Sequence, residues 1–263
     1  MTELETCLAF IRSFEERRAR RVVPFRFGKA LFDDELPRAW DLNLLAVQPG
    51  PGAEPTAEQL IEDADRIQGG AELEHRKLEV LDEELGERLA PRFAERGWTV
   101  VRDLIMPRVR ETDLVDTYLI REVSGEELAP TWAEGIRSAP WADEETVRQL
   151  VAAQFLRRKA ARVRYFAAFE GGQVAGYCEL FSDGKTGQIE SVLTLPEYRR
   201  RGHGRAVVSK ALEVSRAMGH SLTFLRAHED DWPKELYRSI GFETAGRVLT
   251  FTRSPDRPPS PAT

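Results

Sequence analysis

The chain has 263 residues, 41% of them hydrophobic and 31% charged, which is enough to bury a sizeable core, long enough for two compact domains, and excludes a disordered chain. No run of about 18 or more apolar residues occurs and the first thirty residues are acidic and basic, so neither a membrane span nor a secretory signal is visible and a cytosolic address is expected. With 44 acidic against 38 basic residues, a net charge of −6, a nucleic-acid surface would have to be a local patch. Neither nucleic acid nor membrane is expected as a partner.

In chain order, Glu3 to Arg20 reads as a helix, with the arginine-rich run Arg17 to Arg21 as one solvated face. The apolar run Leu42 to Val47 leads into QPGPGAEP at 48–55, a proline and glycine break. Helices are expected at Thr56 to Gln68 and Glu83 to Glu95; the second follows a strand-like Glu74 to Val80 and closes at Gly97-Trp98. After a break near 108–117 a helix is expected at Asp143 to Ala161. Arg164 to Phe169, the turn Glu170-Gly171-Gly172 and Gln173 to Phe181 then read as an antiparallel hairpin. A second turn at Ser182-Asp183-Gly184 precedes a strand from Gln188 to Leu195, which Pro196 ends because proline lacks the N–H a sheet ladder needs.

Next comes Arg199-Arg200-Arg201-Gly202-His203-Gly204-Arg205, followed by a helix over Gly204 to Met218 with apolar Val207, Val208, Ala211 and Leu212 on one side. His220 to Leu225 leads into a helix at Pro233 to Ser239 that closes at Gly241-Phe242, and the chain ends in a proline-rich segment, Ser254 to Thr263, expected to be a loose tail. The class is mixed α/β. Gly97 and Gly241 lie 144 positions apart in similar surroundings, so the first half is expected to repeat the plan of the second.

Cys7 and Cys178 lack the spacing of a disulfide framework or a thiolate zinc site and are expected as free thiols. The histidines His75, His203, His220 and His228 lack the i, i+4 spacing of a helical metal pair; a surface or cap role is expected for each, and no metal is implied.

The glycines at 202 and 204 let the backbone turn at a helix N-terminus, where unpaired amides and the positive end of the helix dipole can cradle phosphate. The neighbouring arginines can add charge-assisted bonds to a ligand with several phosphates. The alternative is an ordinary strand-to-helix turn with solvated arginines. The segment is neither GxxxxGK[ST] nor GxGxxG with an acidic residue about 20 positions on.

Val192 to Gly204 resembles motif A of the GCN5-related N-acetyltransferases (GNAT), with its [RQ]-x-x-G-x-[GA] core after a strand and a proline. Leu236-Tyr237-Arg238-Ser239-Ile240-Gly241-Phe242 resembles that family's motif B, and the resemblance covers roughly 118–253. It implies an acyl-CoA N-acyltransferase fold: a mixed, mostly antiparallel sheet flanked by helices, here as two tandem units, with acetyl-CoA where two strands splay apart. Backbone groups of Val192, Leu193 and Thr194 would hold the acetyl carbonyl and pantetheine arm, and Arg199, Arg200, Arg201, Gly202, His203, Gly204 and Arg205 the pyrophosphate. Tyr237 would be the general acid, with a core tyrosine under Phe242 as the other reading. Glu190 is the expected base, directly or through water, placed by strand alternation on the face of Val192 and Thr194; Glu179 is the next choice, and a solvated strand carboxylate is the other reading. Asp230 stands where many members carry asparagine; with Glu190 and Asp231 it would attract a cationic amine.

The first half lacks [RQ]-x-x-G-x-[GA]. Residues 1–115 are expected to be a degenerate unit that shapes an acceptor pocket or buries an edge of the active unit, 116–253 the catalytic unit and 254–263 a tail. Trp40, Trp98, Trp132 and Trp141 are candidate pocket residues, with core packing as the favoured reading for such large aromatics. The function expected is acetyl transfer from acetyl-CoA, without a metal, to a small-molecule or peptide amine, by a monomer or homodimer. A non-catalytic CoA-binding regulatory module is the alternative.

Overall fold

The computed structural model describes residues 1–254 apart from positions 51 and 53. The expected tail, beyond Ser254 itself, and part of the 48–55 break lie outside the described residues. The first half contains α1 (Glu3–Arg18), β1 (Arg21–Phe25), β2 (Gly28–Phe32), β3 (Leu44–Val47), α2 (Ala57–Gly70), β4 (Arg76–Val80), α3 (Glu83–Glu95) and β5 (Thr99–Pro107). The second contains β6 (Ile120–Val123), α4 (Gly125–Arg137), α5 (Glu144–Ala160), β7 (Arg162–Glu170), β8 (Gln173–Ser182), β9 (Thr186–Thr194), α6 (His203–Ala217), β10 (Leu222–His228), α7 (Pro233–Ser239) and β11 (Gly246–Arg253).

Helix α4 escaped the sequence pattern because Pro130 and Gly135 interrupt it. Its start was nonetheless signalled by Ser124 and Glu127, which form a capping box: the Ser124 hydroxyl accepts from the Glu127 N–H at 3.2 Å and the Glu127 carboxylate from the Ser124 N–H at 2.8 Å.

All the strands among the described residues join one sheet in the order β1-β2-β3-β4-β11-β5-β10-β9-β8-β7-β6. β3 with β4 and β9 with β10 are parallel pairs, and the other neighbours are antiparallel. The plan β3-α2-β4-α3-β5 recurs as β9-α6-β10-α7-β11. The final strands are exchanged: β5 of the first half lies between β10 and β11, and β11 of the second lies between β4 and β5.

Helices α2, α3, α6 and α7 cover one face. Leu60, Leu85 and Leu89 pack there on Leu78, Leu249 and Phe251, and Val207, Ala211 and Tyr237 on Cys178, Ile189 and Leu225. Helices α1, α4 and α5 cover the other face, where Phe14 stacks on Phe181 at 4.8 Å and Phe10 meets Phe224 edge-on at 5.6 Å.

Several surface expectations need correction. Helix α1 ends at Arg18, so the arginine run straddles the helix end and is not one solvated face: Arg18 is buried beside Glu15, Arg17 donates to the Ala160 carbonyl, and Arg20 and Arg21 pair with Glu35 and Asp34. His75 is fully buried, stacked on Trp40 at 4.8 Å with its Nε2 2.9 Å from the Asn43 carbonyl, and burial pushes its pKa down to about 4. Trp98 and Trp132 are core residues, packed on Phe93 and on Phe155. Both cysteines are free, buried thiols.

Candidate active site

β9 and β10 pair from Thr186 and Leu222 as far as Ile189 and Leu225; beyond that point β9 continues to Thr194 and β10 to His228 without pairing, so the sheet opens. β9 also bulges at the opening. Tyr177 pairs with Leu193 and Glu179 with Glu190, leaving Ser191 and Val192 opposite Cys178 alone, and Ser191 adopts a φ of 53°.

The bulge reverses the phase of the strand. Ile189 and Val192 both pack on the α6 side, and the Thr194 hydroxyl lies there too, 3.3 Å from where a Cβ on Gly204 would be. Gln188, Glu190 and Ser191 line a cavity on the opposite face, and Leu193 packs with the α4 and α5 cluster. Glu190 therefore does not share a face with Val192 and Thr194, because simple alternation fails across a bulge.

Beyond β9 the chain turns through Pro196–Tyr198, passes Arg200 (φ 63°) and Gly202 (φ 85°), and enters α6 at His203. A left-handed N-cap suits glycine, and a Cβ added at Gly202 would project into open space. Thr2, Thr56, Asp82, Ser124 and Asp143 each cap a helix by accepting a first-turn N–H, whereas α6 has no side-chain cap. Its leading amides and positive dipole end are left to an external acceptor.

The side chains around this loop are partly engaged. Arg201 and His203 both pair with Glu170, His203 at 3.0 Å. Arg199 Nε donates to the Thr194 carbonyl at 3.3 Å and Arg205 to the Ser239 hydroxyl at 2.9 Å. Arg200 is exposed and makes no ion pair among the described residues. The corresponding place in the first half is built differently: β3 pairs with β4 up to its last residue, Val47 with Val80, and the α2 start is closed by a Thr56–Gln59 capping box.

The cavity has a volume of about 280 Å³, with the middle of the sheet as its floor and α1, α5 and the Trp40–Leu44 segment around it. Both halves contribute: Glu79 from β4, Asp103 from β5, Arg226 and His228 from β10, and Gln188 and Glu190 from β9. Arg226 Nη2 donates to Glu79 at 3.0 Å and to Asp103 at 2.9 Å. Arg157 donates to Glu179 at 2.5 Å and to the Ser191 hydroxyl at 3.0 Å. Arg18 pairs with Glu15, and Lys77 with Asp41 at the rim. Glu190 accepts from the Gln188 amide, and burial raises its pKa above the ordinary glutamate value against the pull of Arg226 and Arg157.

Of the candidate aromatic residues, Trp40 lines the cavity. Asp230 and Asp231 are exposed and are not among the lining residues. Sequence reading missed Glu79, Asp103, Arg157 and Arg226. For Asp103 and Arg226 the available signal was charge inside an otherwise apolar strand, as in Val100-Val101-Arg102-Asp103-Leu104-Ile105 and Thr223-Phe224-Leu225-Arg226-Ala227.

Tyr237 on α7 is 5% exposed, packs in the core cluster that includes Cys178, and meets Phe242 edge-on at 6.3 Å. It thus has the core packing of the alternative reading. Burial, and next the Glu190 carboxylate, raise its pKa well above that of an ordinary phenol. Among the described residues no side chain hydrogen-bonds its hydroxyl, so that donor is available.

A mixed sheet opened between parallel neighbours, with a bulged strand leading to a bare helix N-terminus, defines the acyl-CoA N-acyltransferase architecture, present here as two tandem units. Residues 127–242 match the model of the acetyltransferase (GNAT) family. It is 32% identical over 77 residues to an uncharacterized N-acetyltransferase, CgeE, of Bacillus subtilis; the match covers 28% of this chain and 30% of that relative. The chain thus spans about a third of the curated relative's length. Its fold is similar to a GCN5-related N-acetyltransferase from Kribbella flavida, with 20% identity, a TM-score of 0.65, and coverage of 97% of this chain and 96% of that one. It is also similar to a tandem GNAT protein from the clavulanic acid biosynthesis pathway, with 15% identity, a TM-score of 0.55, and coverage of 86% and 78%. Among the described residues no helix is long and apolar enough to cross a membrane.

Proposed function

We propose that this protein transfers an acetyl group from acetyl-CoA to a primary amine at one active site in the unit spanning 116–253, with residues 1–115 a degenerate partner that completes the acceptor cavity. The observation that carries this reading is the uncapped α6 N-terminus beside the splayed end of β9, with Glu190 on the cavity side of the same strand. The main chain of Val192, Leu193 and Thr194 offers unpaired edge groups to the acetyl carbonyl and pantetheine arm. The first-turn amides of α6, with Arg199, Arg200, Arg201 and Arg205 around them, take the pyrophosphate.

Acetyl-CoA supplies an activated acyl carbon. Glu190, directly or through a water, takes the proton that the amine sheds as its nitrogen bonds to that carbon and the carbon–sulfur bond breaks. A pKa raised by burial suits this role, since it brings the carboxylate nearer neutrality. Tyr237 keeps its proton across the working pH range and donates a hydrogen bond to the departing sulfur. Because its phenol is a weaker acid than usual, the coenzyme thiolate gains its final proton from solvent. Glu179, already paired with Arg157, serves as that arginine's counter-ion.

The capped α2 and the fully paired β3 support a single site, because the first half offers no bare amides at the equivalent position. Calorimetric titration with acetyl-CoA tests this. One molecule bound per chain, lost in Gly202→Trp, is the expected result; absence of binding, or two equivalent sites, would overturn it. Binding without transfer to any amine would instead identify a CoA-sensing module.

A further inference from the structure

The charges around the cavity do not balance. Arg18 faces Glu15, Lys77 faces Asp41 and Arg157 faces Glu179, but Arg226 alone serves both Glu79 and Asp103. Glu190 has an amide partner and, among the described residues, no cation within ion-pair distance. With its six carboxylates ionised against four cations, the group carries two negative charges in excess.

A second, independent observation points the same way. The Glu179 side chain is 1% exposed, stands opposite Glu190 on the cavity face of the sheet, and its Oε2 has no hydrogen-bond partner. A buried carboxylate oxygen without a donor is costly, and although Glu179 lies behind the cavity lining, a cation beside Glu190 would offset its charge through space.

On the reading that this is the acetyl-acceptor site, we propose that the acceptor is a small dication: a primary amine to be acetylated, joined by a short aliphatic chain to a second ammonium or guanidinium group. Glu190 receives the reacting amine, and the Glu79–Asp103 pair holds the group that stays charged. Asp103 on β5 and Glu190 on β9 lie on either side of β10, more than two strand spacings or about 9–10 Å apart at the backbone because their register is offset and the sheet opens past Ile189, a span shared between a short diamine and the side chains reaching inward. At about 280 Å³ the cavity suits a small metabolite. In the transfer the reacting ammonium loses two protons, the first to solvent by way of Glu190 before attack and the second to Glu190 as the nitrogen–carbon bond forms and the carbon–sulfur bond breaks; the coenzyme thiolate takes a proton from solvent, and the distal group keeps its charge and its carboxylate partners.

The test compares 1,5-diaminopentane, pentylamine and 5-aminopentanoate as acceptors for the full chain with acetyl-CoA. The diamine is expected to exceed pentylamine in kcat/KM by about tenfold or more, with 5-aminopentanoate poorest. Asp103→Asn or Glu79→Gln should bring the diamine to pentylamine ratio toward one. Pentylamine as good as the diamine, or a preference for 5-aminopentanoate, would overturn the proposal, and the unmodified chain gives this answer even if both variants fail to fold. If acetyl-CoA binds but no amine is acetylated, the transfer reading fails by itself. Titration of the diamine and pentylamine into the chain then decides the pocket: tighter diamine binding by about tenfold supports the dication site, and equal binding refutes it.

Discussion

Glu179 and Glu190 stand opposite one another on adjacent antiparallel strands, and among the described residues only Glu179 of the two forms an ion pair, with Arg157 at 2.5 Å. Like charges directly opposite in a sheet repel. Arg157 stabilises one carboxylate, and burial leaves the other with a raised pKa. The pairing thus separates a structural glutamate from one that can exchange a proton.

Glu190→Gln is expected to lower kcat by about a hundredfold with little change in acetyl-CoA affinity. In the unmodified protein the acid limb of the pH–rate profile should lie above the ordinary glutamate value. The same raised pKa means that the folded state favours protonated Glu190, so this residue's stability contribution is present at low pH and lost as pH rises through its folded pKa. Glu190→Gln should therefore be more heat-stable than the parent at neutral pH, as thermal melts of the two proteins will show.

Tyr237→Phe keeps the ring that packs against Phe242 and removes the hydroxyl proposed to donate to the departing sulfur. The chain should fold normally and bind acetyl-CoA with unchanged affinity, while turnover falls by roughly a hundredfold. An unaltered turnover number would assign Tyr237 to the core alone.

Arg226→Met leaves Glu79 and Asp103 together without their cation. Loss of one member of a largely buried ion cluster costs about 3–5 kcal/mol, readable by denaturant titration. Adding Glu79→Gln and Asp103→Asn to that variant should restore most of the loss, because the stranded charges are then gone.

Burial takes the pKa of His75 from 6.5 to about 4. The unfolded chain then binds a proton that the folded chain refuses, so stability falls as pH drops through that window, by roughly 3 kcal/mol from this one residue. The difference in unfolding free energy between the parent and His75→Gln should change between pH 7 and pH 4. A constant difference would show that His75 does not titrate there.

The helix from Glu83 to Glu95, the one from Pro233 to Ser239 and the hairpin around Gly171-Gly172 were legible because their periodicity and punctuation are local. The turn from β9 into α6 was legible for the same reason: a proline, two glycines and the following apolar period lie within about two dozen residues. The orientation of Glu190 was hidden, since it depends on a bulge at Ser191, a residue with no turn signature. The cavity was hidden for a deeper reason, because Glu79, Asp103 and Arg226 meet only through the order of strands in the sheet, which no local pattern encodes.

That order has a mechanical consequence. Because β5 and β11 each cross into the opposite half, the two halves are clasped by main-chain hydrogen bonds on both sides of the crossing. They cannot rock apart as lobes on a hinge without tearing the ladder. Any breathing that admits an acceptor must come from the roof helices, leaving the floor rigid through every turnover, and a chain cut between β5 and β6 would yield fragments that each carry a strand belonging to the other.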